Sequence, residues 1–266
     1  MEQFSLRFHK VHPDKIPICF TWDDNFSRHI EYIAPAFLNR DMRCTFYINP
    51  GEDGFEQTHL PGYLALSKQA FEIGSHGYLH ENLCDLSYAA SVDIVKSAIA
   101  SIQRLFQLYP ATFAFPYHDY NEETLRLVRS HHLETRNTLA HSKRIGIKTH
   151  ILLEDMLCAV NESIEEKHAL VFSGHSVILS PAEATDEQLE DQTGYNPILL
   201  DDLTRLLDFI LSKSEYVEVL TFEQAALKEY VLRHCEITGD SFTITQEQLD
   251  SLKPYHIDID RLSQLI

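Results

Sequence analysis

Residues 16–25 read Ile-Pro-Ile-Cys-Phe-Thr-Trp-Asp-Asp-Asn, an apolar run that ends in two adjacent carboxylates. The first part, residues 16–21, has the length and composition of a buried β-strand. Polar residues directly after a buried strand are typical of α/β proteins, in which ligands bind at the carboxyl ends of parallel strands. The segment therefore predicts both a central strand and a candidate site at its end.

Apolar runs of strand length recur along the chain, and segments with helical spacing separate most of them. The further predicted strands are residues 44–48, 72–75, 112–115, 133–137, 170–173 and 217–220. The predicted helices are residues 26–40, 60–71, 88–108, 122–130, 199–212 and 222–230. This alternation predicts an α/β protein with a mostly parallel sheet, either an open doubly wound sheet or a barrel.

Three more of the predicted strands run directly into polar segments. These segments are Ser75-His76-Gly77, Pro116-Tyr117-His118-Asp119 and Gly174-His175-Ser176. Because the carboxyl ends of parallel strands share one edge of a sheet, we expect all four polar segments to meet on one rim.

The polar residues at these strand ends are of the types that bind metals and move protons. His76 and His80 are four residues apart, which places two imidazoles on one face of a helical turn. At the end of a strand, Asp23 and Asp24 can reach the same cavity. One aspartate with two histidines leaves open positions on zinc or a similar divalent ion. The other aspartate would then act as a base, and His175 is either the matching acid or a buried core histidine.

The ordered segments resemble the successive motifs of the polysaccharide deacetylase family, which is the NodB-homology domain of carbohydrate esterase family 4. The segments that carry the resemblance are Thr21-Trp22-Asp23-Asp24-Asn25, Ser75-His76-Gly77-Tyr78-Leu79-His80, Phe113-Ala114-Phe115-Pro116-Tyr117 and Ser173-Gly174-His175-Ser176. The resemblance implies a distorted (β/α) barrel that removes the N-acetyl group from an amino sugar or oligosaccharide with the help of a metal. We expect the barrel to span residues 1–230, and residues 231–266 to form an appendage with a short β-hairpin around Gly239.

The resemblance also implies a role for each motif residue. Asp23 corresponds to the general base, His175 to the general acid, and the backbone N–H of Tyr117 to a donor for the oxyanion. The expected ligands of the divalent metal, with zinc as the expected ion, are Asp24, His76 and His80. The expected substrate contacts are Trp22, Pro116, Tyr117 and His118, although Trp22 also suits a core position under the site.

The chain departs from the family pattern at the partner of the base. Ala114 lies two residues before the motif proline, where family members commonly have an arginine that pairs with the base aspartate. Arg136 is near the end of the predicted strand at residues 133–137, and the triplet Arg136-Asn137-Thr138 resembles an alternative arrangement in some branches of the family. We therefore expect Arg136 to pair with Asp23.

Composition limits the partners of the protein. The 22 basic and 40 acidic residues give a net charge of −18, which disfavours a nucleic-acid partner. No segment is apolar enough for a membrane span, and no signal peptide is evident at the start of the sequence. Five scattered cysteines without a CxxC pair are typical of reduced thiols, so we expect a cytoplasmic protein. The sequence leaves the oligomeric state open.

Two other functions fit the same residues. The barrel could act on a formyl group or a cyclic amide instead of an acetyl group. Alternatively, the missing arginine at position 114 could mark a sugar-binding relative with impaired catalysis.

Overall fold

A computed structural model of the protein describes residues 5–9, 11–147, 151–183 and 197–265. Its strands are β1 (Ser5–His9), β2 (Ile16–Asp23), β3 (Thr45–Ile48), β4 (Glu72–Ser75), β5 (Thr112–Phe113), β6 (Glu134–Thr135), β7 (Ser142–Gly146), β8 (Ala169–Gly174), β9 (Val177–Ile178), β10 (Ile198–Leu199), β11 (Val217–Leu220), β12 (Glu236–Thr238) and β13 (Ser241–Thr245). Its α-helices are α1 (Ala34–Leu38), α2 (Leu60–Ser67), α3 (Tyr88–Phe106), α4 (Glu122–Arg129), α5 (Leu153–Glu166), α6 (Leu200–Ser212), α7 (Phe222–His234), α8 (Gln246–Leu252) and α9 (Ile259–Leu265).

Eight parallel strands form the central sheet, in the order β6-β5-β4-β3-β2-β8-β7 with β11 added to β2. On one edge of β2, residues 16–19 pair with β11 and residues 21–23 pair with β3. The other edge of β2 pairs with β8. Among the described residues, no pairing joins β6 to β7, so the sheet is a distorted and incompletely closed barrel. The predicted fold class is confirmed.

Strand β2 separates two layers of the core because successive side chains of a strand point to opposite faces. Ile18, Phe20 and Trp22 are fully buried on the face that packs against the helices. Cys19 lies on the other face, in the interior of the barrel, with Val171 of β8 and other buried residues. Asp23 has the same parity as Cys19, so the strand directs this carboxylate inward.

The segment predicted as one helix over residues 26–40 is divided in the structure. A π-helical turn, His29–Ile33, comes first, and the backbone N–H of Ala34 donates to the carbonyl of His29. Helix α1 then follows with Pro35 in its first turn. Pro35 has no N–H, so a regular α-helical ladder cannot continue through it.

Two of the predicted helix starts carry capping boxes. Thr221 accepts from the N–H of Gln224, and the Gln224 side chain accepts from the N–H of Thr221. Asn121 and Thr124 form the equivalent pair at the start of α4. Each box satisfies N–H groups that have no partner within the helix.

Both ends of the chain build the C-terminal appendage. The predicted hairpin is present as β12 and β13 and turns at Gly239, whose φ is +62°. Strand β1 pairs antiparallel with β13 and makes a three-stranded sheet, a pairing that the sequence did not predict. The predicted division at residue 230 falls inside α7. None of the helices in the described ranges has the length and apolar character to cross a membrane.

We expect the Ile18→Ala substitution to lower the free energy of unfolding by about 2–5 kcal/mol, because Ile18 is 0% exposed in the main core. Leu211→Ala is the matched control, since Leu211 is 45% exposed, and its effect should stay within about 0.5 kcal/mol. Urea denaturation of both variants measures the difference. Equal losses would contradict the placement of β2 at the centre of the core.

Candidate metal-dependent active site

Asp24, His76 and His80 come together just beyond the carboxyl ends of β2 and β4. Their ligand atoms all lie within 4.8 Å of one another. Oδ1 of Asp24 is 3.7 Å from Nε2 of His76 and 3.6 Å from Nε2 of His80. The three residues predicted as metal ligands are therefore brought into one cluster.

Local backbone geometry and one hydrogen bond direct these side chains toward each other. Asp24 and His80 both adopt left-handed conformations, with φ of 66° and 64°, which turn the chain where a strand or loop would otherwise continue. Nδ1 of His76 lies 2.7 Å from the carbonyl oxygen of Ala114 and donates to it. That bond fixes the tautomer that leaves Nε2 of His76 as an electron-pair donor facing Asp24.

The cluster fits a divalent cation. Oδ2 of Asp24 is buried and has no hydrogen-bond partner within the described ranges, and a buried carboxylate oxygen in that state is costly. Burial, together with the charge of Asp23, raises the pKa of Asp24 to about 7. Burial lowers the pKa of His76 to about 3, although the charge of Asp23 opposes this, so the imidazole is neutral as metal binding requires.

Asp23 forms a buried, two-pronged ion pair with Arg136. Nη1 and Nη2 of Arg136 lie 2.5 and 2.6 Å from Oδ1 and Oδ2 of Asp23. Burial alone would raise the pKa of Asp23, but the charge of Arg136 and its hydrogen bonds to the carboxylate outweigh burial and hold the pKa well below its usual range. Asp23 is therefore ionised, and the predicted pairing with Arg136 is confirmed.

His175 reaches the cluster from the end of β8. Its Nε2 lies 4.0 Å from Oδ2 of Asp24, on the side of the unpartnered oxygen. The structure thus brings the predicted acid next to the predicted metal ligands.

A buried histidine that the sequence reasoning missed supports His175 through a hydrogen bond and lies close to Asp24. Nε2 of His29 donates to the backbone oxygen of His175 at 2.5 Å, and its Nδ1 lies 2.7 Å from the hydroxyl of Tyr63. The same hydroxyl is 3.4 Å from the backbone oxygen of Asp24. Burial lowers the pKa of His29 to about 3, so it acts as a neutral hydrogen-bonding group. No local pattern in the sequence marks His29, because its partners are distant along the chain.

A second missed group joins the strand ends through side-chain amides. The Asn25 amide donates to the carbonyl of Asn49 at 2.9 Å, and the Asn49 N–H donates back to the Asn25 side chain at 3.2 Å. The amide of Asn49 also donates to the carbonyl of His76. The ends of β2, β3 and β4 are thus held in register at the site.

The four predicted substrate contacts occupy different environments. Tyr117 is 64% exposed, and its ring centre lies 4.6 Å from that of His80. His118 is also exposed at the rim. Pro116 is buried, in a position that supports the turn. Trp22 is 0% exposed and packs beneath the site, so the prediction that it contacts substrate is wrong.

A small cavity opens beside the cluster. Its volume is about 220 Å³, and its lining combines polar and apolar side chains: Asp24, Phe26, Asn49, Glu52, Leu79 and His80. Two of the candidate ligands therefore face space that a small group of a substrate can enter.

Comparison with protein-family models matches residues 10–135 to the model described as polysaccharide deacetylase. The family expected from the sequence motifs is thus matched over residues 10–135, which include Asp23, Asp24, His76 and His80. Members of this family are usually metal-dependent hydrolases, in keeping with the cluster of Asp24, His76 and His80. A comparison with curated protein sequences finds no match.

Solved structures of polysaccharide deacetylases share the fold at low sequence identity. The Xyl-CE4 domain of a multidomain xylanase from the hindgut metagenome of Trinervitermes trinervoides aligns with a TM-score of 0.55 and 13% identity, over 85% of this chain and 94% of that chain. The peptidoglycan deacetylase PdaC from Bacillus subtilis aligns with a TM-score of 0.54 and 13% identity, over 82% and 94%. A CE4 family pseudoenzyme from Bacillus anthracis aligns with a TM-score of 0.53 and 15% identity, over 82% and 68%.

We expect His80→Ala to weaken zinc binding by more than about 100-fold. Loss of a metal ligand should lower the zinc affinity more than loss of a residue that only hydrogen-bonds to a ligand. His168→Ala is the control, since His168 pairs with Glu166 away from the cluster. Equilibrium dialysis with zinc measures both affinities. Equal zinc binding by the two variants would place the metal elsewhere.

We expect Arg136→Met to lower the free energy of unfolding by about 3–5 kcal/mol, because it leaves the buried carboxylate of Asp23 without its partner. Arg126→Met removes an exposed ion pair and should cost less than about 1 kcal/mol. The double variant Arg136→Met with Asp23→Asn should recover part of the loss. Chemical denaturation gives all three values, and a loss for Arg136→Met no larger than the control would contradict the role of the pair.

Proposed function

We propose that this protein is a hydrolase that uses a divalent metal, zinc by preference, to remove the N-acetyl group from an amino sugar or short oligosaccharide. The observation that carries the proposal is the ionised carboxylate of Asp23, fixed by Arg136 beside a cluster of one aspartate and two neutral histidines. The match to the polysaccharide deacetylase family supports an acetylated carbohydrate as the substrate.

Asp24, His76 and His80 would hold the ion, which would polarise the acyl carbonyl and make a water molecule more acidic. Asp23 is placed to accept the proton of that water, because its Oδ2 lies 3.9 Å from Nε2 of His76. Arg136 keeps Asp23 ionised and prevents it from turning toward the ligands. The ion pair thus allows Asp23 to act as the base while the neighbouring Asp24 binds the metal.

His175 would complete the reaction on the leaving group. Its Nε2 lies near Asp24, and it would donate a proton to the amide nitrogen as the C–N bond breaks. The backbone N–H of Tyr117 would donate to the oxyanion, from a turn in which Tyr117 has a φ of 58°. Acetate and the free amine of the sugar are the products.

The arginine of this site also bears on the alternative of a catalytically impaired sugar-binding protein. Ala114 removes the arginine that family members commonly place before the motif proline, but Arg136 makes the same kind of contact with Asp23 from the segment after β6. This contact supports an active hydrolase over the alternative of an inactive scaffold. The free cysteines favour a reducing compartment, and we propose that the enzyme acts in the cytoplasm.

We expect the zinc-loaded protein to release acetate from at least one of a panel of N-acetyl monosaccharides and chito-oligomers. Asp23→Asn and His175→Ala should each lower kcat by about 100-fold or more, because each removes a proton-transfer group. The matched controls are Asp201→Asn and His234→Ala. Asp201 lies in the first turn of α6 and His234 in the last turn of α7, and neither belongs to the cluster.

Acetate and formate assays on N-acetyl and N-formyl sugars separate the reactions. Formate release alone would favour the deformylase alternative. Normal turnover in both Asp23→Asn and His175→Ala would overturn the proposed mechanism. Metal and sugar binding without release of any acid would favour the sugar-binding alternative.

A further inference from the structure

Among the residues that the structure describes, Arg144 on β7 is the one arginine with a described side chain that pairs with no carboxylate. Every other arginine whose side chain the structure describes pairs with an aspartate or glutamate. Arg144 is exposed, and its Nη1 donates instead to Nδ1 of His118 at 2.8 Å. In a protein of net charge −18, an exposed guanidinium that no described carboxylate compensates is a notable feature.

The register of the sheet directs Arg144 toward the active site. Arg144 pairs with Val171 of β8, and Val171 pairs with Cys19 of β2. Aligned residues of neighbouring strands point to the same face, and Val171 and Cys19 both lie in the interior of the barrel. Arg144 therefore faces the side of the sheet that carries Asp23, at the open edge of the barrel.

His118 links Arg144 to the catalytic ion pair. Its Nδ1 lies 2.8 Å from Nη1 of Arg144 and 3.3 Å from Nη2 of Arg136. Arg136 is neutralised by Asp23, whereas no carboxylate in the described part of the chain pairs with Arg144. The positive charge of Arg144 therefore lies at the rim, and the imidazole of His118 separates it from Arg136.

Arg144 and His118 both present hydrogen-bond donors at the rim. Both guanidinium groups donate to Nδ1 of His118, so the hydrogen of the neutral ring lies on Nε2. Burial and the two guanidinium charges lower the pKa of His118 to about 3, which agrees with a neutral ring. Within the described part of the chain, no group bonds to this Nε2. Arg144 and His118 together therefore offer donors, and no acceptor, to a ligand.

We propose that Arg144 and His118 bind an anionic substituent of the substrate, a carboxylate or a phosphate, so that the preferred substrate is a small N-acyl amino sugar that carries a negative charge. The planar guanidinium suits both kinds of oxyanion. This inference rests on the proposed function and names its substrate class.

The charges around the site also favour one orientation of the bound sugar. Glu52 lines the small cavity on the side of Asp24 and His80, whereas Arg144 lies on the side of Arg136 and His118. An anionic group is repelled from the first side and attracted to the second. The high net negative charge of the protein disfavours long polyanionic chains, so a single charged group on a small sugar is the better fit.

The test compares acetate release from N-acetylglucosamine, N-acetylglucosamine 6-phosphate and N-acetylmuramic acid by the zinc-loaded enzyme. We expect kcat/KM to be higher for at least one anionic sugar than for the neutral one. Arg144→Gln should reduce that anionic-to-neutral ratio by about 10- to 100-fold, mainly through KM, and Arg144→Lys should reduce it less. Arg126→Gln, which alters an exposed ion pair elsewhere, is the matched control. The phosphate and carboxylate arms show which oxyanion is preferred.

A binding measurement keeps this inference separate from the proposed function. Calorimetry compares glucose 6-phosphate with glucose on the wild type and on Arg144→Gln, with zinc and after its removal, so that contact between phosphate and metal is identified. We expect tighter binding of the phosphate sugar that persists without zinc and is lost in Arg144→Gln.

The outcomes divide clearly between the two proposals. If no probe releases acetate but phosphate-sugar binding depends on Arg144, the proposed function fails and the anion site stands. If acetate is released but neither the kcat/KM ratio nor the binding changes in Arg144→Gln, the anion site is overturned and the hydrolase stands.

Discussion

The guanidinium of Arg136 and the carboxylate of Asp23 are both almost completely buried, and charges at that depth are tolerated only when each has a partner of opposite sign. The contact also joins the end of β2 to the segment after β6. Arg136 packs over the ring of Tyr47, with its central carbon 5.4 Å from the ring centre, so the aromatic interior of the barrel holds it in place. The site is therefore built outward from one ion pair within the barrel.

This ion pair gives two neighbouring carboxylates different properties. Arg136 lowers the pKa of Asp23, whereas burial and the charge of Asp23 raise the pKa of Asp24. Asp24 keeps a buried oxygen to which no described group donates a hydrogen bond, close to two neutral imidazoles. A cation bound there would stabilise the ionised form of Asp24 and relieve its unfavourable burial. Adjacent residues in the sequence are thus divided between a base and a metal ligand by their surroundings.

The sequence was most informative where chemistry follows a strand. The ends of β2, β4 and β8 could be located because short apolar runs stop at polar residues, and parallel strands bring those ends together. Arg136 could be assigned to Asp23 through the family resemblance, although the two residues are distant along the chain. The hairpin around Gly239 also followed from local turn chemistry.

Other features depend on long-range contacts that no local pattern encodes. His29 acts through Tyr63 and the backbone of His175, and β1 pairs with a strand near the other end of the chain. Trp22 follows the alternation of β2 into the helix-facing core, so its position beside Asp23 in sequence does not place it in the site. The role of Arg144 depends on its surroundings. Arg144 shares His118 with Arg136, and no carboxylate among the described residues pairs with it.

The most direct test of the account is a crystal structure of the protein grown with zinc, with anomalous diffraction data collected at the zinc edge. We expect a strong peak bonded to a carboxylate oxygen of Asp24 and to Nε2 of His76 and His80, with Asp23 still paired to Arg136. A zinc ion held by other side chains, or an Asp23 that has left Arg136 to bind the metal, would contradict it.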